Sequence, residues 1–156
     1  MGVPTSEDQI YQVLPLRPEH RPHWERLYAG YAAFYKVEQG PEMRAVVWDW
    51  IFEAENELEA LVAVDASGAV VGLAHYRRLL RPLRAVVGGF LDDLYVDPAH
   101  RGSGVAQALM RALAEVGRTR GWASMRWLTA EDNYRARGFY DQISSRTVFL
   151  TYEMKI

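Results

Sequence analysis

The chain has 156 residues, no cysteine and a formal net charge of −2, with 49% hydrophobic and 24% charged residues. That length predicts one domain, spanning 1–156, that can bury a sizeable core, and the composition is that of an ordinary globule. The charge gives no electrostatic case for nucleic acid, and the absence of cysteine excludes disulfides, thiolate metal sites and a cysteine nucleophile.

Lack of cysteine fits a cytoplasmic location. No apolar run approaches the ~20 residues of a membrane helix, so no membrane association is expected. Residues 1–9 are polar, are expected to be flexible, and lack the basic start and apolar stretch of a secretory signal.

Residues 10–16 alternate and open onto Arg17-Pro18, which predicts a first strand. A helix follows over 18–36, with Trp24, Leu27, Tyr28, Tyr31 and Phe34 on a broad apolar face. Gly40-Pro41 breaks it, and Pro41 suits the first position of a second helix over 41–52. That helix carries Met43, Val46, Val47, Trp50 and Ile51, and leaves Trp48 and Asp49 exposed. Strands over 58–65 and 69–80 flank a tight turn at Ala66-Ser67-Gly68, and a third long strand over 83–96 follows Arg81-Pro82. Gly88-Gly89 interrupts it, marking a bulge or a close backbone approach.

Asp97-Pro98 ends that strand. From Val105 an apolar stripe of Val105, Leu109, Leu113 and Val116 has helical spacing, and Gly121 fits the C′ position after Arg118 and Arg120. A strand over 123–129, a short helix over 134–143 and a last strand over 147–154 complete a mixed α/β domain without linker, repeat or low-complexity segment.

Gly102 and Gly104 thus sit where a helix begins. The first backbone N–H groups there lack intrahelical partners and the dipole is positive, so an anion such as a pyrophosphate can rest on the backbone. The alternative is a plain strand-to-helix turn. Arg-Gly-Ser-Gly-Val-Ala has no Lys-Ser/Thr for a P-loop, does not centre Ser103 in Gly-x-Ser-x-Gly, and lacks a third glycine for a dinucleotide fingerprint.

What remains is Arg101-x-x-Gly104-x-Ala106 after Leu94-Tyr95-Val96-Asp97-Pro98. With Asn133-Tyr134-Arg135-Ala136-Arg137-Gly138-Phe139-Tyr140, which is similar to an Asn-x-x-Ala-x-x-x-Tyr segment, it resembles the GCN5-related N-acetyltransferase superfamily. The motif resemblance covers residues 90–154 closely. It implies a central, mostly antiparallel twisted sheet splayed in a V, with helices on both faces and the bulge at Gly88-Gly89 opening the V. It also implies acetyl-CoA as co-substrate, with no metal, and a homodimer. Phe139-Tyr140-Asp141, Arg146-Thr147 and Thr151-Tyr152-Glu153-Met154 resemble the branch that includes yeast histone and polyamine acetyltransferases.

The resemblance implies a role for each matched position. Arg101, Gly102, Ser103, Gly104, Val105 and Ala106 hold the pyrophosphate, and the backbones of Leu94, Tyr95 and Val96 hold the pantetheine and orient the thioester. Asn133 and Ala136 contact CoA, although Asn133 suits an N-cap equally well. Tyr140 matches the acid that assists the departing thiolate; the other reading is a core tyrosine. Polyamine-acetylating relatives carry Glu-Asp-Leu-Tyr-Val where this chain has Asp92-Asp93-Leu94-Tyr95-Val96. Asp92 is therefore either a shortened base or, with Asp93, a binder of the substrate ammonium. Tyr31, Tyr35 and Trp48 are candidates to frame a cationic amine.

The four histidines read as surface residues rather than metal ligands. The expected activity is acetyl transfer to a primary amine by direct attack in a ternary complex. The acceptor is a polyamine or another small amine, or else a protein lysine or N-terminus. An alternative of another class is a non-catalytic acyl-CoA sensor.

Overall fold

The structure, a computed structural model, describes residues 11–156. The elements are β1 (Gln12–Pro15), α1 (Arg21–Phe34), α2 (Pro41–Phe52), β2 (Glu59–Val64), β3 (Val70–Arg81), β4 (Val86–Val96), α3 (Val105–Arg120), β5 (Met125–Trp127) and α4 (Tyr134–Ile143). Single 3-10 turns at Pro18–His20, Pro82–Arg84 and Pro98–His100 each begin with proline, whose fixed φ favours a first helical position. The predicted flexible residues 1–9, and Ile10 of the predicted first strand, lie outside the described residues.

Five strands form one open sheet in the order β1-β2-β3-β4-β5, antiparallel except for β4 and β5. The parallel β4–β5 ladder joins only Gly89 through Leu91 to Met125 through Trp127. Beyond it, the edge of β4 from Asp92 to Val96 has no strand beside it. The sheet is open beyond Leu91, not at Gly88-Gly89, where the sequence resemblance places the opening of the V.

One face of the sheet is covered by α1 and α2, with Trp24, Leu27, Tyr28 and Trp48 packed on Val62, Val70, Leu73 and Tyr95. On the other face lies α3, whose Val105, Leu109 and Leu113 meet Leu61, Val71, Ala74 and Leu91. Gly72 sets the depth of that contact: a Cβ there would sit 2.7 Å from Val105 Cγ1.

The bulge is not at Gly88-Gly89. His75 pairs with Asp93 and Tyr76 with Leu91, so Asp92 is the extra residue. The two glycines serve close approach instead, since a Cβ on Gly89 would lie 2.5 Å from the Trp122 ring and one on Gly88 2.9 Å from the Ser124 carbonyl oxygen.

Other expectations need correction. The helix expected over 18–36 starts as a 3-10 turn and stops at Phe34, and Lys36 has a φ of 56°. The strand expected from residue 83 starts at Val86, after the Pro82–Arg84 turn, and the strand expected over 123–129 shortens to β5. Helix α2 buries Trp48, which is 8% exposed, with Val47 and Ile51 beside it, while Met43, Val46 and Trp50 face outward. This helix is apolar nearly all round, so periodicity could not select its inner face. Finally, no strand forms over 147–154; residues 144–156 form neither helix nor strand and are exposed.

Candidate active site

The opening beside β4 is a cleft of about 480 Å³. Its floor is Leu94, Tyr95 and Val96; one end is Arg101, Gly102, Gly104 and the first turn of α3; its walls are α1 (Tyr31, Phe34, Tyr35) and α4 (Ala136, Phe139, Tyr140). Local chemistry explains the loop. Asp97 Oδ1 accepts the Ala99 N–H at 3.0 Å, capping the 3-10 turn, and its Oδ2 accepts from Arg26 of α1 at 3.1 Å. Burial alone raises the Asp97 pKa, but these donors outweigh it and the carboxyl sits below its ordinary value.

Gly102 and Gly104 have φ of 77° and 90°, a region that other L-residues adopt only with strain. Open space surrounds the position of a Gly104 Cβ. The glycines are therefore required by conformation and leave the backbone bare toward the cleft. Ala108 N–H is the first α3 donor bonded back to Gly104, which leaves the N–H groups of Val105, Ala106 and Gln107 without helical partners. Arg101 and Arg135 bring cations to the same loop. Bare N–H groups and two guanidinium groups beside an unpaired strand edge could hold a polyanion with an amide-bearing arm, the chemistry of CoA.

Two predicted residues sit differently. The Ser103 side chain faces away, with Oγ donating to the His100 carbonyl oxygen and accepting from Tyr11 at 2.9 Å. Trp48 is in the core against Trp24 and Phe52, not on the cleft wall. Asn133 lines the cleft while its Oδ1 accepts from Ala136 N–H at 3.3 Å, so the capping geometry is present. Tyr140 lies edge-on to Trp127 at 5.3 Å; burial, and then the nearby Tyr35, push its pKa up to about 12.

The bulge separates the two aspartates. Asp92 accepts from Arg77 Nε at 3.0 and 3.2 Å near the surface. Asp93 turns under α1, where Oδ2 accepts from Tyr28 at 3.1 Å and from His75 Nδ1 at 2.8 Å, with the Tyr31 hydroxyl close enough to act on the carboxylate's pKa. Trp24 Nε1 can only donate, and it does so to His75 Nε2 at 2.9 Å. Nε2 is therefore the bare nitrogen, and the proton on Nδ1 points at Asp93. Burial alone would raise the Asp93 pKa, but the hydrogen bonds from His75, Tyr28 and Tyr31 hold it below its ordinary value. Burial, then the negative charge of Asp93, push Tyr28 and Tyr31 upward.

His75 is fully buried, not a surface residue. The sequence held a signal for it: it is the lone imidazole in the otherwise aliphatic and aromatic run Val70-Val71-Gly72-Leu73-Ala74-His75-Tyr76. Arg135, Phe139 and His100 also line the cleft and were not expected there.

The site is thus an opening in a sheet covered by helices on both faces, beside the N-terminus of α3. The model of the acetyltransferase (GNAT) family matches residues 24–143, and the chain belongs to that family. It is an N-acetyltransferase. It is 25% identical over 142 residues to the D-amino-acid N-acetyltransferase HPA3 of Saccharomyces cerevisiae, covering 90% of this chain and 88% of that protein.

Among solved structures, the ribosomal-protein-alanine N-acetyltransferase of Brucella melitensis biovar Abortus 2308 superposes with a TM-score of 0.74 at 23% identity, over 94% of this chain and 99% of that one. The aminoglycoside N-acetyltransferase AAC(6')-Iy, solved in complex with CoA, gives 0.82 at 19% identity over 98% of both chains.

Proposed function

We propose that this protein acetylates a small primary amine with acetyl-CoA by direct attack in a ternary complex. The observation that carries the reading is the cleft itself: one end is an anion-binding helix start, the floor a free strand edge, and the far wall bears Tyr140 opposite Tyr31 and Tyr35. Bound acetyl-CoA supplies an activated acetyl carbonyl and a thiolate leaving group. The N–H groups of Val105, Ala106 and Gln107, with Arg101 and Arg135, neutralise the pyrophosphate, and the backbone of Leu94, Tyr95 and Val96 holds the pantetheine arm.

An alkylammonium has a pKa of ~10.4, so about one molecule in a thousand is nucleophilic at neutral pH. A carboxylate held below its ordinary pKa is a weak base, and Asp93 is such a group. Its role in this reading is to fix Tyr31. With the Tyr31 hydroxyl directed to Asp93, the lone pairs of its phenol oxygen would be left for an amine N–H in the cleft. The amine loses its protons to water, one before attack and one as the amide forms.

Tyr140, with a pKa near 12, does not give its proton to a thiolate of pKa ~8.5. It donates a hydrogen bond to the sulfur as charge develops there. The aromatic wall and the buried carboxylate behind it favour a small cationic amine, such as a polyamine or amino acid, over a protein lysine.

The test is CoA release from acetyl-CoA with a panel of polyamines, D- and L-amino acids, an aminoglycoside and a lysine peptide. Turnover with a small amine is expected. Turnover with the peptide alone would move the reading to a protein acceptor, and acetyl-CoA binding without release would make the protein an acyl-CoA sensor.

A further inference from the structure

Trp24 of α1 and His75 of β3 are both fully buried, and the 2.9 Å bond from indole Nε1–H to imidazole Nε2 joins them. An indole N–H can only donate. The polarity of the whole chain is thereby fixed: Trp24 donates to His75, and His75 donates through Nδ1 to Asp93 Oδ2 at 2.8 Å. Neighbouring rings hold the imidazole in that orientation. Tyr28 meets it edge-on at 4.7 Å and Trp24 lies at 5.9 Å, with Trp48 of α2 behind the indole at 5.2 Å.

Both ring nitrogens are thus in use while His75 is neutral. A second proton has only Nε2 to go to, and there it meets the indole N–H, donor against donor. An imidazolium at this position would pair with Asp93 and cancel its charge. As the neutral ring stands, it orients the carboxylate and leaves the negative charge whole, behind Tyr31 of the cleft wall, where a cation is attracted. The other groups facing Asp93 do not replace that control. Tyr28 and Tyr31 of α1 bring neutral hydroxyls, and the neighbouring Asp92 of β4 is paired with Arg77 of β3.

We infer that Trp24 and His75 are positioning residues for the acceptor amine: the indole locks His75 as the neutral Nδ1–H tautomer, so that Asp93 keeps a full negative charge for the substrate cation. Neither residue touches the substrate; each acts through Asp93. The lock favours amines that arrive as cations, an alkylammonium over a weakly basic arylamine. The tautomer stands apart from the acetyltransferase reading, whereas its effect on the amine rests on that reading.

The experiment is long-range nitrogen–proton correlation NMR of the histidine rings from about pH 5.5 to about pH 8.5, the span in which imidazoles ordinarily titrate. It is run on the wild type, Trp24→Phe, His75→Asn and the double variant, with circular dichroism as the check on folding. The His75 signals are those missing from His75→Asn. KM is measured over the same span, at saturating acetyl-CoA, for each amine of the panel that is turned over. Wild-type His75 is expected with a proton on Nδ1 and none on Nε2 throughout, and with KM level.

Trp24→Phe deletes the donor and leaves room beside a bare nitrogen for a water. His75 should then take its second proton as pH falls, and KM should rise about tenfold between about pH 8 and about pH 6. Asparagine keeps an N–H near the Nδ1 position and cannot titrate. Adding His75→Asn to Trp24→Phe should therefore return KM to a level profile, although it removes more of the core; a merely structural role would make the double variant the worst of the set. A wild-type His75 protonated on Nε2 anywhere in the span overturns the inference, and that arm needs no variant to fold. A folded Trp24→Phe with a level KM overturns it equally. Turnover of no amine, with the tautomer as described, would count against the proposed function and leave the lock intact.

Discussion

Tyr140→Phe keeps the ring against Trp127 and deletes the one group proposed to meet the sulfur. Acetyl-CoA affinity should hold while kcat falls by ~10²-fold, the lower end for loss of one hydrogen-bond donor to developing charge; steady-state kinetics with a competent amine check this. Asp93→Asn acts elsewhere. An amide cannot accept from His75, Tyr28 and Tyr31 together and presents two donors of its own, so the variant should lose about 1–3 kcal/mol of stability. It should also raise KM for the amine more than it lowers kcat, because Tyr31 is no longer oriented. Urea unfolding and amine-saturation curves on one preparation separate the two effects. Asp92→Asn touches only the pair with Arg77 near the surface and should change stability little.

Helix α3 is set on the sheet at Gly72, where Val105 and Leu109 approach where a Cβ would be. Gly72→Val forces that helix outward, at a cost of about 1–3 kcal/mol for overpacking. Since Val105 also begins the anion-binding turn, CoA affinity should fall although the substitution lies on the far side of the helix from the cleft. Thermal unfolding and a CoA titration test both parts.

Legibility in the sequence divides along the same line between local and distant. The places of Arg101, Gly104 and Tyr140 on the cleft were legible because each lies within a short motif whose spacing is fixed by one turn or one helix. The partners of Asp93 were not, because Trp24 and Tyr28 come from another element, and the bulge that turns Asp93 toward them is set by pairing with His75, not by any residue that breaks strands. Trp48 was misplaced because an apolar helix has no periodic face to read. The strand expected over 147–154 does not form, because a run of strand-favouring residues states that a strand needs a partner and not which strand that is.

Across the whole molecule, pH dependence follows from groups whose pKa values burial and pairing have moved. Asp93 is depressed, so its contribution to stability is present above its unfolded value of ~3.9 and is lost as pH falls through the folded one. Tyr28, Tyr31, Tyr76 and Tyr140 are raised, so theirs is present below ~10 and is lost as pH climbs toward the folded values. Urea midpoints should be level between these limits and fall on either side, with the phenolate absorbance of these four buried tyrosines appearing only as the protein unfolds. The central claim is that CoA lies on the bare backbone between Gly102 and Gln107. Calorimetric titration of CoA into the wild type and Gly104→Val tests it directly: valine at a φ of 90° must distort the turn, so the folded variant should bind at least tenfold more weakly. Equal affinity in a variant with native circular dichroism would contradict it.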